Sequence, residues 1–325
     1  MTGLKPATWL LNNQPTLDVA VPGFTVAELV GLPSSCPPDW TNPIAVMAAE
    51  ILNPSCSNPG PTELAEAAAL KPTTAILWVG SNDVLFSLLF NSTDPTDIGT
   101  FYTQHSLATT TLVHASKSLV LANIPDVTRT AYLTSVPDLA AILKLPVATV
   151  YAVFGLHLGD MVTPYAFPAI QAMKTSLTHL PDSGPQGPIV IRAARILQIR
   201  ATVVAYNIAI AIEAAFSGAT LVDIYSLVNN LADHGVVVNG RTLTTDFMGG
   251  LFSLDGVHPT NTGYAIIANE FIKTMNRSLR TNIPLADVGL VSLTDPLIFP
   301  LIVHGASTGH VDVGMADALR HLHRQ

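Results

Sequence analysis

The stretch Thr73-Thr-Ala-Ile-Leu-Trp-Val79-Gly80-Ser81-Asn82-Asp83 decides the fold of this chain. Its first seven residues are mostly apolar, with a proline before them and a glycine after them, and this pattern predicts a short buried strand. The strand runs directly into a polar loop. The stretch Ser118-Leu-Val-Leu-Ala-Asn123-Ile-Pro-Asp126 has the same form, and residues 219–224 predict a third such strand.

Helical patterns separate these strands, at residues 63–71, 98–116 and 193–216. Short apolar strands that alternate with helices predict an α/β fold, here a three-layer α/β/α sandwich with a mainly parallel sheet. Residues 18–23 are interpreted as one more short strand, followed by a helix at residues 25–30. In such sheets, functional sites form at the carboxyl ends of the strands.

The pattern predicts one domain over residues 17–282 and a C-terminal tail over residues 283–325. Within the domain, residues 127–188 carry many prolines and broken helical fragments, and we interpret them as an excursion that forms a lid or a pocket wall. The dipeptide Asn239-Gly240 between alternating residues predicts a β-hairpin.

The composition excludes several classes of function. Charged residues make up 12% of the chain, against roughly 25% in typical soluble domains, so that the chain has strands buried on both faces or an apolar binding surface. The net charge of −8 argues against a nucleic-acid partner. No run approaches 18 consecutive apolar residues, so no transmembrane segment is predicted, and the first residues lack the apolar core of a signal peptide. No cofactor and no metal site are predicted, and the sequence leaves the oligomeric state open.

Cys36 and Cys56 flank a proline-rich loop. A disulfide between them would close a loop of about twenty residues and stabilise the fold by roughly 3 kcal/mol. Two free thiols are the alternative. A bridge would imply an oxidising compartment, and hence an exported protein.

The strongest chemical signal is the pair Asp255 and His258, three positions apart on a turn that contains glycine and proline. Thr260 or Asn261 can cap the apolar helix that follows. An aspartate in this position can bind one ring nitrogen of the histidine and leave the other nitrogen free to act as a general base. Asn82 and Gly23 follow predicted strands, where they can donate hydrogen bonds to an oxyanion.

These residues resemble the conserved blocks of the SGNH (GDSL) hydrolase family. Val21-Pro-Gly23-Phe-Thr25 is similar to the block that carries the oxyanion glycine, Gly80-Ser-Asn82-Asp83 to the Gly-x-Asn-Asp block, and Asp255-Gly-Val-His258-Pro259 to the Asp-x-x-His block. Ala122-Asn-Ile-Pro-Asp126 is also typical of bacterial lipase-like members. The resemblance covers residues 17 to 275, approximately, and implies a flavodoxin-like fold.

The resemblance also implies roles for these residues. His258 would be the general base, Asp255 its partner, and Gly23 and Asn82 the oxyanion donors. The reaction implied is hydrolysis of a small-molecule or lipid carboxylic ester through an acyl-serine.

The nucleophile of that family lies in a Gly-Asp-Ser motif on a first strand, and this chain has neither the motif nor the strand before residue 17. We weigh three explanations: an N-terminal truncation of an exported hydrolase, a replacement nucleophile such as Ser81, or a non-catalytic binding module that has kept the pocket. Residues 284–303 of the tail are a candidate to fill the vacant strand position.

Overall fold

The computed structural model describes residues 17–90, 94–173 and 177–298. The helices are α1 (Val26–Gly31), α2 (Pro43–Leu52), α3 (Glu63–Ala69), α4 (Ser81–Leu89), α5 (Ile98–Ala115), α6 (Val136–Leu143), α7 (Val147–Phe154), α8 (Ala166–Ala172), α9 (Ala193–Ser217), α10 (Ile224–His234), α11 (Asn261–Leu279) and α12 (Val288–Thr294). The strands are β1 (Thr74–Leu77), β2 (Ser118–Ala122), β3 (Thr134–Ser135), β4 (Met161–Val162), β5 (Ser183–Gly184), β6 (Gly187–Pro188), β7 (Val190–Ile191), β8 (Thr220–Val222), β9 (Val236–Val238) and β10 (Arg241–Leu243).

The central sheet has three parallel strands in the order β1-β2-β8. These are the three strands that the apolar runs predict, and the prediction of a parallel α/β sheet is confirmed. Val120 sets the register, since it pairs with Ile76 on one side and with Thr220 on the other. On its other edge, β1 pairs with no strand in the parts of the chain that the structure describes, and Ile76 and Trp78 are exposed.

Helices cover both faces of the sheet and so give the three predicted layers. On one face, Leu77, Leu119 and Leu121 pack in a core with residues of α5 and α9. On the other face, Val120 and Val222 pack against Ile267 of α11. Alternation along β2 explains why its side chains enter two different cores, because successive residues of a strand point to opposite faces.

One predicted strand is wrong. Residues 18–21 are extended but pair with no strand, and a turn at residues 22–23 follows them. The N–H of Val21 donates to the Glu63 carboxylate over 3.1 Å instead of to a neighbouring strand. The helix predicted after this segment is confirmed as α1, which Thr25 caps together with Glu28.

Residues 127–188 fold around a hydrophobic core of their own. Helices α6, α7 and α8 surround this core together with the small antiparallel sheet β3-β4-β7. Asp160 fixes the end of the excursion to α9, because it accepts the N–H of Ala193 over 2.9 Å and binds the guanidinium of Arg192 at 2.8 Å. The region is therefore a small ordered unit inserted between β2 and α9.

The predicted Asn239-Gly240 hairpin is confirmed, since β9 and β10 pair in antiparallel fashion across that turn. Helix α12 packs against α11 and β9. Residues 284–298 thus lie outside the sheet, and the hypothesis that they fill a vacant strand position is wrong for them. Residues 299–303 of that hypothesis lie outside the described residues.

Two further features bear on the environment of the protein. Cys36 and Cys56 form a disulfide, with their Cα atoms 5.2 Å apart. Helix α9 is long and apolar enough to cross a membrane by length and composition, and the bent pair α6–α7 meets the same test when counted as one span. The test is weak evidence, because core helices of soluble proteins also meet it, and Tyr206 and Ile210 of α9 lie in the core.

Candidate active site

The turn at residues 253–258 holds the aspartate–histidine pair. Oδ2 of Asp255 lies 2.6 Å from Nδ1 of His258. Its other oxygen, Oδ1, accepts the hydroxyl of Ser253 over 2.6 Å and the N–H groups of Val257 and His258, each over 2.9 Å. Both carboxylate oxygens are therefore fixed, and Nε2 of His258 is the ring nitrogen that remains for proton transfer.

The turn is held against the loop that follows β2. Gly256 has a φ of +73°, and a Cβ there would lie 2.7 Å from the backbone nitrogen of Tyr132. The same N–H of Tyr132 donates to the carbonyl of Gly256 over 2.8 Å. A glycine is thus required in the Asp-Gly-Val-His stretch for both conformation and close approach. This contact therefore fixes the turn that carries the pair to Tyr132, in the segment that follows β2.

Helix α11 stabilises the turn from its other side. The sequence left Thr260 and Asn261 open as its cap, and the structure assigns the role to Thr260, whose hydroxyl accepts the N–H of Gly263 over 3.1 Å. The same hydroxyl donates to the carbonyl of Gly250 over 2.8 Å. Thr260 therefore joins the start of the helix to the start of the turn.

The pair shifts the pKa of both of its members. The hydrogen bond and charge of Asp255 raise the pKa of His258 above its ordinary value, against partial burial, which acts in the opposite direction. Partial burial alone would raise the pKa of Asp255, but the hydrogen bonds from His258, Ser253 and the backbone lower it to well below its usual range. Asp255 is thus ionised, and it stabilises the imidazolium form of His258.

The two predicted oxyanion donors are joined to each other. Gly23 has a φ of +91°, which favours glycine. Asn82 lies at the second position of α4, and its side-chain nitrogen donates to the carbonyl of Phe24 over 2.9 Å. One N–H of the Asn82 amide is engaged in this way, and the second remains for a ligand.

Asp83 fixes the same loop to α4. Its buried carboxylate accepts the N–H of Val26, the first residue of α1, over 2.9 Å and the hydroxyl of Thr96 over 2.8 Å. Burial raises the pKa of Asp83, although these hydrogen bonds oppose the shift. The loop that carries Gly23 is therefore held by two consecutive side chains, Asn82 and Asp83.

Glu63 holds the loop from the other end, since it accepts the N–H of Val21. Burial raises the pKa of Glu63 from 4.5 to about 7, with a smaller contribution from the charge of Asp18. Because the raised pKa belongs to the folded state, that state binds the proton more tightly, and the free energy of unfolding falls as the pH rises from 4.5 to 7. Above about pH 7, Glu63 causes no further decrease in the free energy of unfolding.

We therefore expect Glu63→Gln to remove this pH dependence. Glutamine keeps an oxygen that accepts the N–H of Val21 but cannot ionise, so the variant is expected to be more stable than the wild type at pH 8, by on the order of 2–3 kcal/mol, and similar to it at pH 4. Urea unfolding across this range measures the difference, with Glu66→Gln on the same helix as control. Parallel pH curves for the wild type and Glu63→Gln would refute the assignment.

Val26, Val79 and Val257, which lie in or beside the three sequence-predicted blocks, pack in one hydrophobic core. A Cβ on Gly80 would lie 2.6 Å from Ile124, which follows β2, and Val257 of the histidine turn packs on the core that contains Ile124 and Tyr132. Among the described residues, however, no serine or threonine hydroxyl is hydrogen-bonded to His258. Ser81 is the first residue of α4 and is half-buried, but it makes no hydrogen bond with His258.

Pattern reasoning from the sequence missed Ser253, Glu63 and the positioning role of Asp83. Only Ser253 had a local signal, namely a hydroxyl two residues before an aspartate in a turn. Within the described ranges, no group of three or more histidine, cysteine, aspartate or glutamate side chains could hold a metal ion.

Comparisons with known proteins add little to this geometry. No protein-family profile and no curated protein matches the chain. Among solved structures, the chain is similar to LAE5, an alpha/beta hydrolase enzyme from the metagenome of Lake Arreo, Spain, with 14% identity and a TM-score of 0.34 over 65% of this chain and 63% of that one. A likeness this distant carries no argument about family or activity. The resemblance to SGNH hydrolases stays a prediction.

Proposed function

We propose that this chain is a carboxylic ester hydrolase of the SGNH type that acts through an acyl-serine. The single observation that supports the proposal is the Asp255–His258 pair, in which Nδ1 of His258 lies 2.6 Å from the carboxylate, on a turn bound to Tyr132 in the segment after β2. An imidazole held in this way is in the tautomer that a general base requires.

In the proposed reaction, His258 removes the proton from a serine hydroxyl as its oxygen attacks the ester carbonyl. The N–H of Gly23 and the amide of Asn82 stabilise the negative oxygen of the tetrahedral intermediate. His258 then gives the proton to the departing alcohol, and water, activated by the same imidazole, hydrolyses the acyl-serine. Asp255 orients the imidazole and stabilises its cationic form throughout.

The substrate class follows from composition and from the excursion. Charged residues are 12% of the chain, and residues 127–188 form an apolar unit next to the carboxyl end of β2. Both favour an uncharged or apolar acyl group, and the excursion is proposed as the lid or pocket wall. The Cys36–Cys56 disulfide supports an exported location. The alternative function is a non-catalytic binding module with the same pocket.

The deciding experiment is labelling of the 325-residue chain with a fluorophosphonate probe, followed by peptide mapping and by assays with p-nitrophenyl esters. A labelled serine peptide together with hydrolysis would support the acyl-serine mechanism and identify the nucleophile, with Ser81 the first to check. Hydrolysis without labelling would mean that His258 activates water directly. The absence of both hydrolysis and labelling would contradict the acyl-serine mechanism for this chain.

The pH dependence tests the base separately. Because a general base must be neutral, kcat/KM is expected to fall as the pH decreases through the raised pKa of His258. Asp255→Asn removes the largest cause of that shift, so the acid limb of the profile is expected to move to lower pH. The position of the limb is measured, not the height of the plateau. If the acid limb does not move in Asp255→Asn, the limb does not report the pKa of His258, and the assignment of His258 as the base is contradicted.

A further inference from the structure

Helix α9 has an exposed face that is mostly apolar. Six residues at the spacing 4-3-4-3-4 form this face, which we call the α9 seam: Leu197, Ala201, Val204, Ile208, Ala211 and Ala215. Two exposed neighbours, Ile212 and Phe216, widen it. Ile208 is 57% exposed and Phe216 is 90% exposed, whereas isoleucine and phenylalanine side chains are usually buried.

The seam carries no charge. Between residues 201 and 217 the one acidic or basic residue is Glu213, and it is buried. Its side chain is buried against His105 of α5, with Oε2 of Glu213 2.5 Å from Nδ1 of His105. An exposed helix normally carries charged and polar residues on its outer face, so this face lacks the feature that would keep it in water.

The opposite face of α9 fixes the seam in place. Tyr206 is fully buried and its ring stacks on Phe101 with the ring centroids 3.8 Å apart. The amide of Asn207 binds both the N–H and the carbonyl of Ile124, over 2.7 and 2.8 Å. The helix cannot rotate to bury the seam without breaking these contacts, and therefore the seam stays on the surface of the described fold.

The spacing indicates what covers it. Apolar positions that alternate by three and four residues are the pattern with which one helix packs along another helix. The pattern of this seam is also symmetric about residue 206, so an antiparallel copy of the same helix would place Leu197 opposite Ala215, Ala201 opposite Ala211, and Val204 opposite Ile208. Leu197 then faces a small residue, two alanines face each other, and Val204 and Ile208 fill the centre. The two helix dipoles are opposed, which is favourable.

We propose that the α9 seam is a self-association surface, which binds the same seam of a second copy of this chain in antiparallel orientation about a two-fold axis. Such an interface is self-complementary, as a two-fold dimer requires. The face from Leu197 to Phe216 is about 28 Å long at 1.5 Å per residue.

The exposed apolar side chains supply area for a dimer. The five large ones on this face are between 43% and 90% exposed, and they contribute to the about 800 Å² per partner that a stable interface needs. Interfaces are only about 60% apolar, and the polar residues that border the helix would supply the remainder.

A lipid surface fits the seam less well. Helices that lie on membranes carry lysine and arginine around an apolar face, whereas the part of α9 after Arg200 has no basic residue and the chain has a net charge of −8. Lipid would also select neither the small residues at Ala201, Ala211 and Ala215 nor the symmetric spacing.

The first test is the mass of the full chain in solution by light scattering over a range of micromolar concentrations. The wild type is expected at twice its 34.3 kDa chain mass, and Val204→Glu and Ile208→Glu are each expected to return it to one chain mass. Thr110→Glu places the same charge on the exposed side of α5 and is expected to leave the dimer intact. Circular dichroism spectra and thermal midpoints confirm that each variant is folded.

The second test examines orientation. Mixing a Val204→Cys variant with an Ile208→Cys variant under mild oxidation is expected to give a cross-linked dimer, whereas each variant alone is not. Cross-linking of each variant alone would indicate a parallel pair and overturn the proposed arrangement. A monomeric wild type, a dimer that survives both glutamate substitutions, or binding of the wild type to neutral phosphatidylcholine vesicles that either substitution abolishes would overturn the self-association itself.

Discussion

Replacement of His258 by alanine is expected to lower kcat/KM for ester hydrolysis by roughly 10²–10⁴-fold, the range over which positioned general bases contribute. The reason lies in the geometry of the turn. Asp255 binds Nδ1, so Nε2 is the nitrogen that accepts the proton of the attacking group, and alanine removes it. The side chain of His258 is 68% exposed, so the fold itself should lose little stability.

The matched control is His234→Ala, because His234 is also exposed and lies at the last position of α10. That variant should keep the wild-type rate. Fluorophosphonate labelling provides a second readout, since a serine that depends on His258 should lose its label in His258→Ala and retain it in His234→Ala. A wild-type value of kcat/KM in His258→Ala would contradict the assignment of His258 as the general base.

Gly80→Ala is expected to reduce the free energy of unfolding by roughly 2–5 kcal/mol, the sum of backbone strain and overpacking. Gly80 has a φ of +113°, a conformation that residues with a side chain rarely adopt. A Cβ there would lie 2.6 Å from Ile124 and 2.7 Å from Phe101, both of which are fully buried. The added methyl group would have to displace Ile124 and Phe101 in the core below the start of α4.

Gly218→Ala separates the two causes. Gly218 also has a positive φ, +72°, but a Cβ there meets nothing within 4 Å. It should therefore show strain without overpacking, roughly 1–2 kcal/mol. Urea denaturation of both variants measures the difference. Equal losses in the free energy of unfolding would mean that overpacking against Ile124 and Phe101 contributes nothing to the loss in Gly80→Ala.

The sequence was sufficient for the central sheet and for the pair at its edge. The runs that became β1, β2 and β8 are mostly apolar and are followed by glycine, asparagine or aspartate, a pattern typical of a strand buried between two helix layers. Asp255 and His258 are three residues apart, so a single turn brings them together, and local spacing predicts such contacts well.

Two parts of the chain gave no usable local signal. Residues 18–23 have a strand-like apolar pattern, but the N–H of Val21 is bound by Glu63, 42 positions away, and no pattern within the segment reports such a partner. Strands β3 and β4 of the excursion, and β7 directly after it, have two residues each. A two-residue strand is shorter than one period of alternation, so its pairing depends on the tertiary fold.

The excursion begins and ends on the same small sheet. Strands β3 and β7 both pair with β4, so the chain enters and leaves this unit within two strand spacings, about 10 Å. Its interior can therefore be shortened, extended or exchanged without moving the junctions to β2 and α9. Under the proposed function, such changes would alter the choice of ester while the turn that holds Asp255 and His258 stays in place.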